Sequence, residues 1–279
     1  VGEAGRLWIN GGKITTEDSE RAIFSRGGVV NIDGGAITKN HNDITDNAGG
    51  IWAHGGELNI SGGSIDHNSA KYGGGIYTTL GAIVNISGGT IAYNTAAIAG
   101  GGICNDHPSY EGSQIIVEGG VIDHNSAPNG GGIYYKSAKS LDISGGTIFN
   151  NTADENGGGI YVTNSTMNIK RGEITSNTAK TGGGVAARTW CTIDLSNGKI
   201  ESNTAETSGG GIAVDDRSTL NVTGGTIKSN TSKGDGGGIV FTGVGGTYSG
   251  LYVKGGEISE NTSARDGGGV AVIGDHYQV

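Results

Sequence analysis

Apolar and polar residues alternate along short segments of this chain, and the alternation restarts at regular intervals. Ten times the chain reads apolar, any, apolar, any, Gly, Gly, any, Ile, starting at Leu7, Val30, Leu58, Val84, Ile115, Leu141, Met167, Ile193, Leu220 and Leu251. LNISGGSI and VNISGGTI are clean copies, whereas MNIKRGEI and IDLSNGKI each carry a substituted glycine. Successive starts lie 23, 28, 26, 31, 26, 26, 26, 27 and 31 residues apart. A period of two inside each segment predicts half-buried strands, and no segment has the 3.6 spacing of an amphipathic helix. A second period, in the middle twenties, predicts stacked repeats.

Each repeat holds two further elements. Ile-x-x-Asn is followed by small residues, from Asn68-Ser69-Ala70 to Asn261-Thr262-Ser263. Then GGG precedes Ile or Val, beginning at Gly73, Gly100, Gly130, Gly157, Gly182, Gly209, Gly236 and Gly267. Three short strands joined by Gly, Asn and Ser turns cannot bury a core alone, but stacked coils can. The pattern therefore predicts an all-β chain folded as a single-stranded right-handed parallel β-helix of about ten coils, each with three short strands. At ~4.8 Å per coil the rod would be roughly 45–50 Å long. Leu58 and Ile60, Val84 and Ile86, Leu141 and Ile143, and Leu220 and Val222 would point inward as aliphatic stacks. The recurrent Asn would stack amide on amide and satisfy buried polar groups.

The whole of 1–279 reads as one β-helix domain. Residues 1–50 lack the Asn-Thr-Ala element and are expected to form N-terminal capping coils, with 51–279 as regular coils. No comparable cap follows Gly269, so the chain reads as a segment of a longer surface protein. The two 31-residue steps arise from insertions at 106–114 and 243–250, on one side of the solenoid.

Composition narrows the partners. A net charge of -9 leaves no basic stripe for phosphates, which argues against nucleic acid and anionic membrane surfaces. No apolar run is long enough for a spanning helix, so no direct membrane insertion is expected. Gly is the commonest residue at 58 with only 2 Pro, and the glycines sit at fixed places, marking backbone positions without room for a side chain. Cys104 and Cys191 fall about three coils apart, ~15 Å at the strand spacing, so two unpaired thiols are expected.

The paired GGxI and IxxN motifs resemble the GGAI and FxxN repeats of chlamydial polymorphic outer-membrane proteins, with Ile where those have Phe. The GGTI, NTA, GGGIY cadence is similar to β-helical surface proteins of gut and oral bacteria, and the likeness covers residues 7–272. The resemblance implies an autotransporter-type passenger domain, secreted or held on a bacterial cell surface and used in adhesion. Its partners would be host or bacterial surface glycan or protein. The same fold also hosts polysaccharide lyases and glycoside hydrolases, which keeps an enzyme as the alternative.

Candidate sites can be read as columns. The residue after GGGI or GGGV runs Tyr77, Cys104, Tyr134, Tyr161, then Ala186, with Trp52 one coil earlier. Such an aromatic stripe either stacks on sugar rings or covers the seam between coils. Before the ladder Asn stand His67, Tyr93 and His124, with Asp66 and Asp123 preceding the histidines. This column is either a small binding site or a polar surface corner. The column Asp106, Lys136, Thr163, Arg188, Asp215 alternates charges between neighbouring coils, which suits surface ion pairs better than paired catalytic carboxylates. Asp215 and Asp216 would point to opposite faces. No catalytic residue and no metal ligand is assigned. No cofactor is expected; the Asn/Asp row between the inward aliphatics offers oxygens to Ca²⁺ but lacks the spacing of a calcium-binding β-roll, so an amide ladder is expected there.

Overall fold

Period-two strands and glycine corners close into a solenoid of about nine turns, a right-handed parallel β-helix in this computed structural model. All residues are described except 1–4, 17–19, 43–46, 107–111, 138, 216, 245–248 and 276–279. Most of the 106–114 insertion, half of the second insertion and Asp216 thus lie outside the described residues.

Three parallel sheets form the faces. In the third coil the GGxI motif supplies Glu57–Ile60 and Ser64–Asp66, two segments of one sheet divided by the glycine pair. Ser69–Tyr72 carries the small residues after the ladder Asn, and Ile76–Thr79 follows GGG. We call these the GGxI, Asn and GGG faces. The register is strict: Ile32, Ile60, Ile86, Val117, Ile143, Ile169, Leu195 and Val222 are successive partners in one file. All are essentially buried. A period-two strand presents alternate side chains to one side, so each coil adds the same inward pair, and each buried Ile or Leu contributes ~2 kcal/mol.

The asparagines form the expected internal ladder. In each inner coil the Asn Oδ1 accepts from the backbone N–H and the Nδ2 of the Asn one coil before, as Asn151 does from Asn125 at 3.0 Å and 3.0 Å. Its Nδ2 donates in turn to the next Asn and to an Ile carbonyl of the previous coil. The ladder begins earlier than the Asn-Thr-Ala triplet suggests. Asn40 is fully buried and donates to Asn68 Oδ1 at 2.7 Å, so residues 1–50 lack the triplet but not the asparagine. The residue before each ladder Asn, from Lys39 to Glu260, has φ between +50° and +59°. This left-handed corner is disfavoured for L residues, and the amide ladder and sheets on either side hold it.

The glycine pair has a plain steric cause. A Cβ on Gly145 would lie 2.1 Å from the carbonyl oxygen of Glu118, in the coil beneath, whereas one on Gly11 in the first coil would meet nothing within 4 Å. Arg171 and Asn197 occupy the same position in two coils, so this corner tolerates a side chain after a local shift.

Among the described residues Tyr135 is the one tyrosine buried in the main core, its single hydroxyl proton shared between the carbonyls of Ser113 and Ser140. It ties the re-entry point of the first insertion to the next coil. Tyr135→Phe should cost on the order of 1–2 kcal/mol through two unanswered carbonyls, read as a lower melting temperature by circular dichroism.

Both cysteines are unpaired and buried, as the spacing predicts. Burial pushes the Cys104 thiol up, and pushes Cys191 up to about 11 against weaker opposing hydrogen bonds. Since the thiolate is the reactive form, neither should titrate with a disulfide reagent at pH 8 in the folded protein. Both should react once denaturant restores an ordinary thiol; rapid labelling of native protein would contradict the burial.

Candidate functional site

The GGG motif builds a re-entrant corner between the Asn and GGG faces. Its first glycine takes φ of +64° at Gly157, and a Cβ there would lie 2.2 Å from the Ile160 carbonyl oxygen. The chain thus folds back on the strand that follows. The residue before GGG comes to face the residue two positions beyond it. Tyr72 and Ala99 therefore pack with Tyr77 and Cys104 in a second apolar cluster, separate from the main core and joined by Trp52 and Tyr134.

This placement changes what the aromatic stripe offers. Tyr77 is buried and its hydroxyl donates to the Asp106 carbonyl at 2.9 Å. Trp52 is half-buried between Phe24, 5.1 Å away, and Tyr77, 5.8 Å away, with the Arg21 guanidinium 4.7 Å from its ring. Its indole N–H donates to Thr79 Oγ1 at 3.0 Å. Tyr134 and Tyr161 stack at 5.2 Å with their planes 22° apart. Burial pushes the hydroxyls of Tyr77, Tyr134 and Tyr161 up, so all three remain protonated donors. The rings of this column meet in two pairs, Trp52 with Tyr77 and Tyr134 with Tyr161, and Cys104 takes the rung between them.

Charges flank the rings. Asp106 pairs with Lys136 at 2.7 Å and Arg188 with Asp215 at 3.2 Å, the partners expected from alternation. Further along, the file drops to Ala186 and Ala213 and a pocket of about 110 Å³ opens. Thr181 and Ser208, from the column before GGG, line it together with Arg188 and Asp215.

The second column also assembles as a stack, on an exposed edge. His67 and Tyr93 lie 5.1 Å apart and Tyr93 and His124 4.8 Å, with planes within 17°. Each histidine is oriented by its own neighbour: Nδ1 of His67 lies 2.9 Å from Asp66 and Nδ1 of His124 lies 2.8 Å from Asp123. Burial alone would raise the Asp66 carboxyl, but hydrogen bonds from Ser64, Thr38 and His67 and the His67 charge hold it below its ordinary value. The two Asp–His pairs are separated by the Tyr93 coil, so their rings do not converge on one point.

On the outer GGxI face the polar row forms the expected amide contacts. Asn59 donates to Asn31 at 3.0 Å, Asn85 to Asn59 at 2.8 Å, Asn168 to Asp142 at 2.7 Å and Asn221 to Asp194 at 2.7 Å. Partial burial raises Asp142, yet donors from Ser140, Asn168 and Gln114 together with Lys170 hold it low. Among the described residues no group of three His, Cys, Asp or Glu is placed to hold a metal ion.

The structure thus brings Trp52, Tyr77, Tyr134, Tyr161 and Asp106 together along one corner, and His67, Tyr93 and His124 along a different edge. Sequence reasoning missed Arg21, Phe24, Tyr72 and the Ala186–Ala213 pocket. It also missed Trp190, nearly half exposed, with the Arg217 guanidinium 5.2 Å from its ring. The missing signal was the glycine corner, which pairs the columns before and after GGG.

Neither a curated protein nor a solved structure matches the chain. The right handed beta helix region family matches residues 7–172. That span is more than half of the chain, its coils are those described above, and the protein belongs to this right-handed β-helix family.

Proposed function

We propose that this protein is a non-catalytic β-helix of adhesin type, located outside the cell or on a bacterial cell surface. It acts as a stalk and presents its corner groove to a host or bacterial glycan or protein. The observation that carries this reading is the corner: two ring pairs, Trp52 with Tyr77 and Tyr134 with Tyr161, lie along it on either side of Cys104, beside charges already paired within the chain. Ring edges and neutralised charges suit reversible hydrogen bonding to neutral polar ligands, so glycan is the favoured class.

Glycoside hydrolysis requires two carboxyl groups ~5 Å or ~6.5–9.5 Å apart. Asp106 and Asp215 stand four rungs apart in the groove, roughly 19 Å at the strand spacing, and each is engaged by a basic partner. That separation supports binding over turnover. The test is a glycan array read alongside a reducing-sugar assay on the same glycans. Binding without release is expected. Release that Asp106→Asn or Asp215→Asn abolishes would replace this reading with a polysaccharide lyase or hydrolase.

A further inference from the structure

Two corners between the GGG and GGxI faces can be compared directly. Leu80-Gly81-Ala82 joins Ile76–Thr79 to Ile83–Ile86, and Thr189-Trp190-Cys191 joins Val185–Arg188 to Thr192–Leu195. In each the third residue is buried and the first two are left-handed. Their φ angles are +51° and +70° in the earlier coil, +58° and +56° in the later one. Glycine takes the second position freely. Tryptophan does not, and a left-handed, β-branched Thr189 before it adds to the strain. Burial does not offset that strain, because Trp190 is 48% exposed. A strained aromatic side chain left at the surface points to a ligand rather than to the core.

Arg217 stands in the next coil, exposed and itself left-handed at φ +60°, with its guanidinium 5.2 Å from the Trp190 ring. Among the described residues it makes no ion pair, whereas Lys136 and Arg188 of the GGG face each hold a carboxylate. Stacking uses the flat side of a guanidinium and leaves its N–H fork for an anion. An exposed indole beside an unpaired guanidinium matches a pyranose that carries one C–H face and one carboxylate. We propose that Trp190 and Arg217 form a binding site for a uronate sugar, whose C–H face takes the exposed part of the indole and whose carboxylate takes the guanidinium fork. The proposal rests on the glycan-binding reading and adds a second place, away from the ring column, and an acidic class of sugar.

The test is a heteronuclear NMR titration of the full chain at low salt, read at the indole N–H signals of its 3 tryptophans. The probes are methyl β-glucuronide and methyl α-galacturonide, each beside its neutral counterpart, methyl β-glucoside and methyl α-galactoside. At least one uronide should shift the Trp190 indole saturably and bind at least about tenfold more tightly than its counterpart. Arg217→Gln should bring that uronide down to the level of the neutral sugar, with an unchanged melting temperature. Trp190→Gly should abolish binding and leave the melting temperature unchanged or raised, because Gly81 already serves the same position in the earlier coil. A ring kept for structure predicts a lower melting temperature instead. That result overturns the proposal, as do a silent Trp190 indole with both uronides, equal affinity for the neutral sugars and full binding in Arg217→Gln. A neutral oligosaccharide that shifts the Trp52 indole while Trp190 ignores every uronide overturns this site and spares the groove reading. A uronide bound at Trp190 by a protein that also cleaves glycans does the opposite.

Discussion

Asn151→Ala should destabilise the rod by on the order of 4 kcal/mol, more than any single aliphatic truncation to a smaller aliphatic in the same coil. The side chain joins three levels of the solenoid. Its Oδ1 accepts from the backbone N–H and Nδ2 of Asn125, and its Nδ2 donates to Ile122 in the coil before and to Asn177 Oδ1 in the coil after. The position is fully buried. Removing the amide leaves two donors of Asn125 and the Ile122 carbonyl without these partners, each at a cost of ~1–3 kcal/mol. Asn151→Asp should do at least as much harm, since a carboxylate cannot donate and is costly to bury.

A solenoid is held by nearest-neighbour contacts, so damage at a middle rung should also divide it. Chemical denaturation of Asn151→Ala is expected to lose its single sharp transition. Amide hydrogen exchange should become faster around residues 121–153, with the outer coils slower to follow. Asn261→Ala is the internal comparison: its rung is only part-buried and has no further Asn beyond it, so its cost should be clearly smaller. Equal costs at the two sites would mean that the ladder is not what stabilises the coils.

The fold was legible because the same inward pair recurs in every coil, and periodicity reports burial directly. Ile60, Ile86 and Ile143 belong to one file, as the alternation implied, and the Asn amides stack as their spacing implied. Asn40 lies outside the Asn-Thr-Ala pattern, yet it joins the ladder, which asks only for the asparagine. The groove was harder to read. Counting outward from GGG places Tyr77 on the surface, yet it is buried, because the left-handed first glycine turns Tyr72 and its equivalents back over the strand. A sequence displays which residues share a column. It does not display which two columns a sharp corner presses together, and Trp190 and Arg217 meet for a related reason, each following a different strand into the same exposed edge.

The GGG motif allows the second strong prediction. Gly158 has an ordinary backbone conformation, so alanine is not excluded there by its own φ. What excludes it is the coil above: a Cβ would lie 2.4 Å from the Thr178 carbonyl oxygen and 2.6 Å from that of Gly183. Both oxygens belong to backbone that is itself hydrogen-bonded into the stack, Thr178 and Gly183 donating to Asn151 and Gly209, so neither can move without shifting its neighbours. Gly158→Ala should therefore cost about 3 kcal/mol or leave the chain unable to assemble. The equivalent Gly268 lies in the last coil, where the nearest atom to a Cβ would be the Asn261 carbonyl oxygen at 3.1 Å. There alanine should change stability by less than about 1 kcal/mol, since reduced freedom of the unfolded chain offsets a mild contact. Denaturation midpoints of the two variants decide the matter. A Gly158→Ala protein as stable as Gly268→Ala would show that the coils are spaced more loosely than ~4.8 Å, and the columns on which the groove depends would no longer be in register.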